Sequence, residues 1–290
     1  INNKNITREN IIGFASEMQA LHPFLCDGTP LVWNNSYNEL HNISKTNYSV
    51  LRPYTIKPFS PGTYSEYSIE FKVNAEWKPI LQNKRYISSN FPATMINFNY
   101  HNDLLNIFNN IVFHLEQAVI KRVLDTCERP IVCLLSGGLD SSLITAFVKK
   151  HYKGELRTFS IGMKGSEDLA RAKEVAEHLN TTHTEIIVTS EEFFDAIPEV
   201  IENIESYDTT TVRASVGNYL IGKYIARETD AKVVFNGDGS DEVTGGYLYF
   251  LKSPSSIEFD GECRNLLENI HMFDVLRSDR CISRHGLEPR

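Results

Sequence analysis

The stretch Leu134-Leu135-Ser136-Gly137-Gly138-Leu139-Asp140-Ser141-Ser142 decides the fold of this chain. It follows an apolar run, residues 131–135, with the composition of a buried strand. It leads into residues 143–150, whose pattern predicts a helix. A Ser/Gly-rich turn between a strand and a helix directs backbone N–H groups outward, where they bind phosphate oxygens. Gly137 and Gly138 let the backbone approach an anion without a Cβ in the way. Ser136, Ser141 and Ser142 add hydroxyl donors. Asp140 is out of place beside phosphate unless a cation lies between them, which points to magnesium pyrophosphate. Two other anion-binding patterns fail. The chain has no Gly-Lys-Ser or Gly-Lys-Thr step, and Gly237-Asp238-Gly239 lacks the third glycine of a dinucleotide fingerprint.

Strand and helix patterns alternate around this turn. Strands are predicted at 131–135, 156–161, 183–188 and 232–236. Helices are predicted at 167–179, with Ser166 as cap, near 191–204, and at 212–228. Such alternation specifies an α/β fold, a parallel sheet with flanking helices. Upstream, Asn102 or Asp103 is the expected cap of a helix. Leu104, Ile107, Phe108, Ile111, Leu115 and Val119 recur there at helical spacing and read as core. Residues 1–95 are richer in Asn, Tyr, Ser and Pro, with strand-like runs such as 67–73, and read as a separate β-rich domain with an irregular insertion. The second domain is expected over 96–290.

Two further blocks carry chemistry. The apolar strand predicted at 232–236 again runs into a Gly-rich acidic turn, Asn236-Gly237-Asp238-Gly239-Ser240-Asp241-Glu242. Three carboxylates within five residues repel one another unless a cation or a base role uses them. Tyr207-Asp208-Thr209-Thr210-Thr211-Val212-Arg213 places hydroxyls and a guanidinium at a helix start, where they bind phosphate or carboxylate, or only cap the helix. His178 and His183 have no carboxylate partner at useful spacing and read as surface or structural residues.

The SGGxDS turn resembles the PP-loop of ATP pyrophosphatases, and the three blocks together resemble the synthetase domain of glutamine-dependent asparagine synthetases. The likeness is nearly continuous from residue 103 to the end; 13–21 and 59–64 resemble parts of that family's glutaminase domain, while 22–58 shows no clear likeness. The resemblance implies a PP-loop ATP pyrophosphatase fold of the adenine nucleotide α-hydrolase type, preceded by a glutaminase remnant. It implies ATP-dependent amidation of L-aspartate through β-aspartyl-AMP, with nitrogen from glutamine or ammonia. Ser136, Gly137, Gly138, Asp140, Ser141 and Ser142 would hold the pyrophosphate of ATP. Leu135 and Ile161 would offer backbone contacts to adenine, with Asn236 and Gly237 flanking the nucleotide. Asp140 and Asp241 would be ligands of Mg2+, since hard oxygen anions suit that ion. Thr210, Thr211 and Arg213 would stabilise charge as pyrophosphate departs. Asp238 stands where the family commonly has a glutamate important for acyl-adenylate formation, and is one methylene shorter.

A β-lactam-forming synthetase, which closes its own substrate without ammonia, and a non-catalytic nucleotide-binding relative are the alternatives. The 207–213 block and Tyr247-Leu248-Tyr249-Phe250 favour asparagine synthesis. The chain reads as an internal fragment: it begins with Ile1 rather than the family's nucleophilic cysteine, Cys26 has no free α-amine, and the family's later catalytic lysine is not reached. The net charge of −8 argues against a large nucleic-acid footprint. The five cysteines form no CxxC pair, which leaves disulfide and metal frameworks without support. No apolar run reaches membrane-spanning length. The resemblance implies a cytoplasmic enzyme, with a homodimer among its expected assemblies.

Overall fold

Ile131, Val132 and Cys133 are almost wholly buried, as a strand covered on both faces must be. Alternate residues of that strand serve two different cores. Ile131 and Cys133 pack with Val233, Phe235, Val119, Val123 and Val148. Val132 packs with Val234, Phe159, Ile221, Ile225, Ile282 and Leu287 on the other side. A sheet between two helical layers results. The computed structural model of the chain describes residues 14–21, 57–71, 75–87, 100–126 and 128–290. Cys26, most of the 22–58 insertion and the residues around the expected 95/96 boundary lie outside them.

The chain divides into two compact units, 1–90 and 91–290. In the first, β1 (Thr63–Phe71) and β2 (Ala75–Arg85) form an antiparallel hairpin, registered from Thr63 opposite Arg85 to Phe71 opposite Ala75, with irregularities around Glu66. β1 starts earlier than the predicted 67–73. The ring of Phe14 leans on Tyr67 at 5.8 Å.

The second unit begins with α1 (Tyr100–Asp125), followed by β3 (Ile131–Leu134), α2 (Leu139–His151), β4 (Arg157–Gly162), α3 (Glu167–Leu179) and β5 (Thr182–Ile187). Then come α4 (Ser190–Asp195), α5 (Ile197–Ile204), α6 (Thr209–Glu228), β6 (Val233–Phe235) and α7 (Ser240–Thr244). A 3-10 turn (Leu248–Lys252), α8 (Ser256–Asn269), a second 3-10 turn (Ile270–Met272), α9 (Asp274–Ser283) and β7 (Glu288–Pro289) complete it. The five strands are parallel, in the order β5-β4-β3-β6-β7. The order reverses between β3 and β6, which is where an open α/β sheet opens a crevice at its carboxyl edge.

The predicted elements are present, with local corrections. α2 starts at Leu139, not 143, so Asp140, Ser141 and Ser142 lie in its first turn. α6 starts at Thr209, because Asp208 caps it. The helix predicted over 191–204 is two: Thr189 and Glu192 form a capping box for α4, and Pro198, which lacks an N–H, sits in the first turn of α5. Ser166 caps α3 as expected, accepting from the Leu169 N–H at 3.4 Å. α1 starts at Tyr100, so neither Asn102 nor Asp103 is its cap. Its stripe is not all core: Val119 is 3% exposed, whereas Phe108 and Ile111 are 52% and 56% exposed. β7 was not predicted. Its two residues show no apolar alternation, and only pairing with β6 makes them a strand. Among the described residues, no helix is long and apolar enough to cross a membrane.

Candidate active site

The sheet delivers Leu135 to the start of the first turn, its N–H donating to the Phe159 carbonyl at 2.8 Å. Gly137 then takes the left-handed conformation, φ +81°, and lies against α3. A Cβ there would be 2.5 Å from the Arg171 Cβ and 2.6 Å from the Ala172 nitrogen. Gly138 caps α2 with extended backbone and offers no side chain. The serines tie the turn to itself. The Ser136 hydroxyl meets that of Ser141 at 3.0 Å and accepts the Gly138 N–H at 3.3 Å. The Ser142 hydroxyl donates to the Gly138 carbonyl at 2.6 Å. The first N–H groups of α2 have no acceptor within the helix and carry its positive dipole end, so the turn presents an anion cradle.

The second turn is in contact with the first. β6 runs beside β3, and a Cβ on Gly237 would lie 3.0 Å from the Ser141 nitrogen and 3.2 Å from the Asp140 Cβ. Asn236 and Asp238 close a small ring: the Asn236 amide donates to Asp238 Oδ2 at 2.9 Å, and the Asp238 N–H donates to Asn236 Oδ1 at 3.3 Å. Gly239, at φ +88°, turns the chain into α7, and the Ser240 hydroxyl donates to the Gly237 carbonyl at 2.7 Å.

The carboxylates of this turn differ in surroundings. Asp238 has an open face to solvent, yet surrounding protein raises its carboxyl above the usual carboxylate range. Ser278 and the Arg277 charge pull it back, and Glu242 pushes it further up. Asp241 is also raised, first by desolvation, then by the negative charges of Asp140 and Glu242. Asp140 and Asp241 therefore feel each other across the contact between the two turns. Glu242 is wholly buried. Its Oε1 accepts the Tyr247 hydroxyl, and its Oε2 has no hydrogen-bond partner among the described residues. The Tyr247 hydroxyl also lies 3.5 Å from Asp274, and Asp274 is paired with Arg277. Burial, then Glu242, holds the Tyr247 phenol well above its usual range.

Sequence reasoning gave no role to Tyr247, Asp274, Arg277 or Ser278. A signal was available: Asp274, Arg277 and Ser278 stand at i, i+3 and i+4, one face of a helix.

The threonine block is a capped helix start. Asp208 accepts the Thr211 N–H and the Thr211 hydroxyl, each at 2.8 Å. These bonds hold the Asp208 carboxyl below its usual range. Thr211 is buried, while Thr210 and Arg213 face solvent. No hydrogen bond or ion pair among the described residues joins these three to the glycine turns. Ile161 is half-buried in β4, 3.8 Å from where a Cβ on Gly217 of α6 would be. His183 is structural: its ring lies between the hydroxyls of Thr158 (2.9 Å) and Ser160 (3.1 Å). His178 is exposed on α3. Cys133, Cys263 and Cys281 are free and buried, and desolvation pushes the Cys133 thiol up to about 12, far from a nucleophile's range.

The asparagine synthase family model matches residues 113–262. The chain is 43% identical over 243 residues to the glutamine-hydrolysing asparagine synthetase of Gallus gallus, covering 81% of this chain and 43% of that protein. It is 42% identical over 245 residues to the Homo sapiens enzyme of the same name, with the same coverage. The chain thus spans less than half the length of these relatives. Among solved structures, an NMN synthetase from Francisella tularensis aligns with a TM-score of 0.34 at 18% identity, over 47% of this chain and 58% of that one. An NH3-dependent NAD synthetase from Campylobacter jejuni aligns with a TM-score of 0.33 at 18% identity, over 58% of this chain and 76% of that one. The match over half of the sequence, covering both glycine turns and the threonine block, makes this chain a member of the asparagine synthase family.

Proposed function

We propose that this chain carries the adenylating centre of an asparagine synthetase, and that its full polypeptide amidates L-aspartate with nitrogen from glutamine or ammonia. The contact between the two glycine turns carries the reading. It brings an anion cradle and three site carboxylates, Asp140, Asp238 and Asp241, to one crevice. The β-carboxylate oxygen of aspartate bonds to the α-phosphorus of ATP, and the bond to the pyrophosphate oxygen breaks. Ammonia then bonds to the acyl carbon, AMP leaves, and a proton is lost from nitrogen.

In this reading the α2 N–H groups and the hydroxyls of Ser136, Ser141 and Ser142 bind pyrophosphate oxygens, displacing part of their mutual bonding. Leu135 and Ile161 bound the adenine, with Asn236 and Gly237 beside it. Asp238 orients the aspartyl carboxylate and shares a proton with it; a carboxyl already raised does this more readily than an ordinary one. Thr210 and Arg213 act on the departing pyrophosphate, while Thr211 holds their turn through Asp208. Asp140 and Asp241 suit Mg2+, because two mutually repelling carboxylates gain from a shared cation. The ion supplies neutralisation of phosphate charge. Among the described residues no group of three or more His, Cys, Asp or Glu could hold a metal, so this chain would offer the ion Asp140 and Asp241 as a pair. Residues 1–95 belong, in the same reading, to the glutaminase domain. A homodimer and a cytoplasmic location belong to the same reading.

Exchange of labelled pyrophosphate into ATP tests this. In the full polypeptide it should depend on aspartate. Exchange independent of aspartate, or none, refutes the reading.

A further inference from the structure

Three described non-glycine residues have positive φ. Two are asparagines, which tolerate that conformation through their short polar side chains. The third is Glu205, at φ +53° and ψ +35°, the residue that ends α5. Glycine is the usual choice at such a helix end. Glutamate gains nothing from the backbone there, so its side chain must supply the reason.

That side chain is half-buried and pairs with Arg280 of α9, at 3.4 Å. Each partner is anchored to a different part of the candidate site. On one side, Glu205 opens the short link to the threonine turn. The Ser206 hydroxyl accepts the Asp208 N–H at 3.2 Å, and Asp208 caps α6 through Thr211. The link that Glu205 opens is therefore hydrogen-bonded from Ser206 to Thr211, with Thr210 and Arg213 on the same first turns. On the other side, Arg280 lies one turn along α9 from Arg277 and two residues beyond Ser278, the groups that act on Asp238. α5 and α6 already share an apolar core with Cys281, so the layers are held together by packing without the ion pair.

We infer that Glu205 and Arg280 are positioning residues that fix the threonine turn against the helix supporting Asp238, for the adenylation step of the function proposed above, on which this inference rests. The pair touches neither ATP nor aspartate. It sets where Thr210 and Arg213 stand when charge develops on pyrophosphate.

Glu205→Gly separates this role from a structural one, since glycine suits the backbone while the side chain and its carboxylate are lost. In the full polypeptide, Glu205→Gly should lower kcat of aspartate-dependent pyrophosphate exchange at least tenfold. KM for ATP and aspartate should stay within threefold, and the melting temperature should not fall. Arg280→Ala should show the same kcat loss, Arg280→Lys a smaller one, and the double variant no more than the worse single. Exchange within twofold of the parent in Glu205→Gly, or losses that multiply in the double variant, overturns the inference. A parent without aspartate-dependent exchange instead overturns the functional reading.

Discussion

Gly137→Ala should destabilise the chain far more than Gly138→Ala, although the two glycines are neighbours in one motif. At Gly137 two costs combine. The backbone sits at φ +81°, a conformation that costs a non-glycine residue roughly 1–2 kcal/mol. The new Cβ would also stand 2.6 Å from the Ala172 nitrogen and 2.6 Å from the Arg171 carbonyl carbon, backbone atoms in mid-α3 that no side-chain rotation can move. Overpacking of this kind costs about 1–3 kcal/mol. Together they give about 2–5 kcal/mol, or a fall in melting temperature of roughly 4–20 °C for a unit of this size. Gly138 has φ −68°, and a Cβ there would be 3.4 Å from the Ser136 hydroxyl, an ordinary contact. Its replacement should cost less than about 1 kcal/mol, the usual difference between glycine and alanine at a helix cap. Urea unfolding of the 290-residue chain, followed by far-ultraviolet circular dichroism, compares the two. A loss at Gly137 no larger than at Gly138 would refute the claim that α3 closes on this turn.

Asp140→Ala in the full polypeptide should lower aspartate-dependent AMP formation by more than about a hundredfold, as loss of a strong electrostatic contact to the reacting phosphates does; near-normal AMP output at ordinary magnesium concentrations counts against its assignment. Asp238→Glu should maintain or raise pyrophosphate exchange, because the longer side chain restores the family's reach; a fall beyond about tenfold, or 1.4 kcal/mol in the barrier, would show a site built around aspartate. Desolvation holds the His183 ring below the ordinary histidine range, so the unfolded chain binds more protons than the native one as pH falls below about 6.5. Stability should therefore be full above that pH and decline on acidification. His183→Gln should flatten the decline in urea midpoints between roughly pH 7 and 5, and an unchanged slope would remove His183 as a cause.

The sheet was legible because parallel strands buried on both faces leave a strong local mark. Residues 131–135 are apolar without alternation, and the two cores that flank them explain why. Helix starts were less legible. Asp140, Ser141 and Ser142 look like loop residues by composition, yet they form a first helical turn, where an acidic residue and hydroxyls are favoured. Thr209 to Thr211 stand at a helix start, as expected, with Asp208 as the cap, but the helix begins three residues before the first apolar residue, Val212, which is where hydropathy alone marks it. On α1 helical spacing marked a stripe wider than the core, since periodicity records which face is apolar but not what covers it.

The site is held together by neighbours distant in sequence, and these leave fainter marks. Asp274 and Arg277 acquire a role only because α9 comes close to the second turn, where Asp274 lies beside the Tyr247 hydroxyl that buried Glu242 holds and Arg277 acts on raised Asp238. Gly237 is different. Its Cβ would crowd Ser141 and Asp140, so a larger residue would force the carboxyl edges of β3 and β6 apart. That glycine is therefore the local trace of a strand adjacency. Residues 134–142 and 236–242 can each be read alone as a glycine-rich turn, with solvent or a ligand as its partner. Once Gly237 is recognised as a site of close approach, the two turns become one crevice at the point where strand order reverses. The like-charge pair Asp140 and Asp241 then follows from the contact of the two turns: two carboxylates that are costly side by side, and that a cation, in the function proposed above, would stabilise.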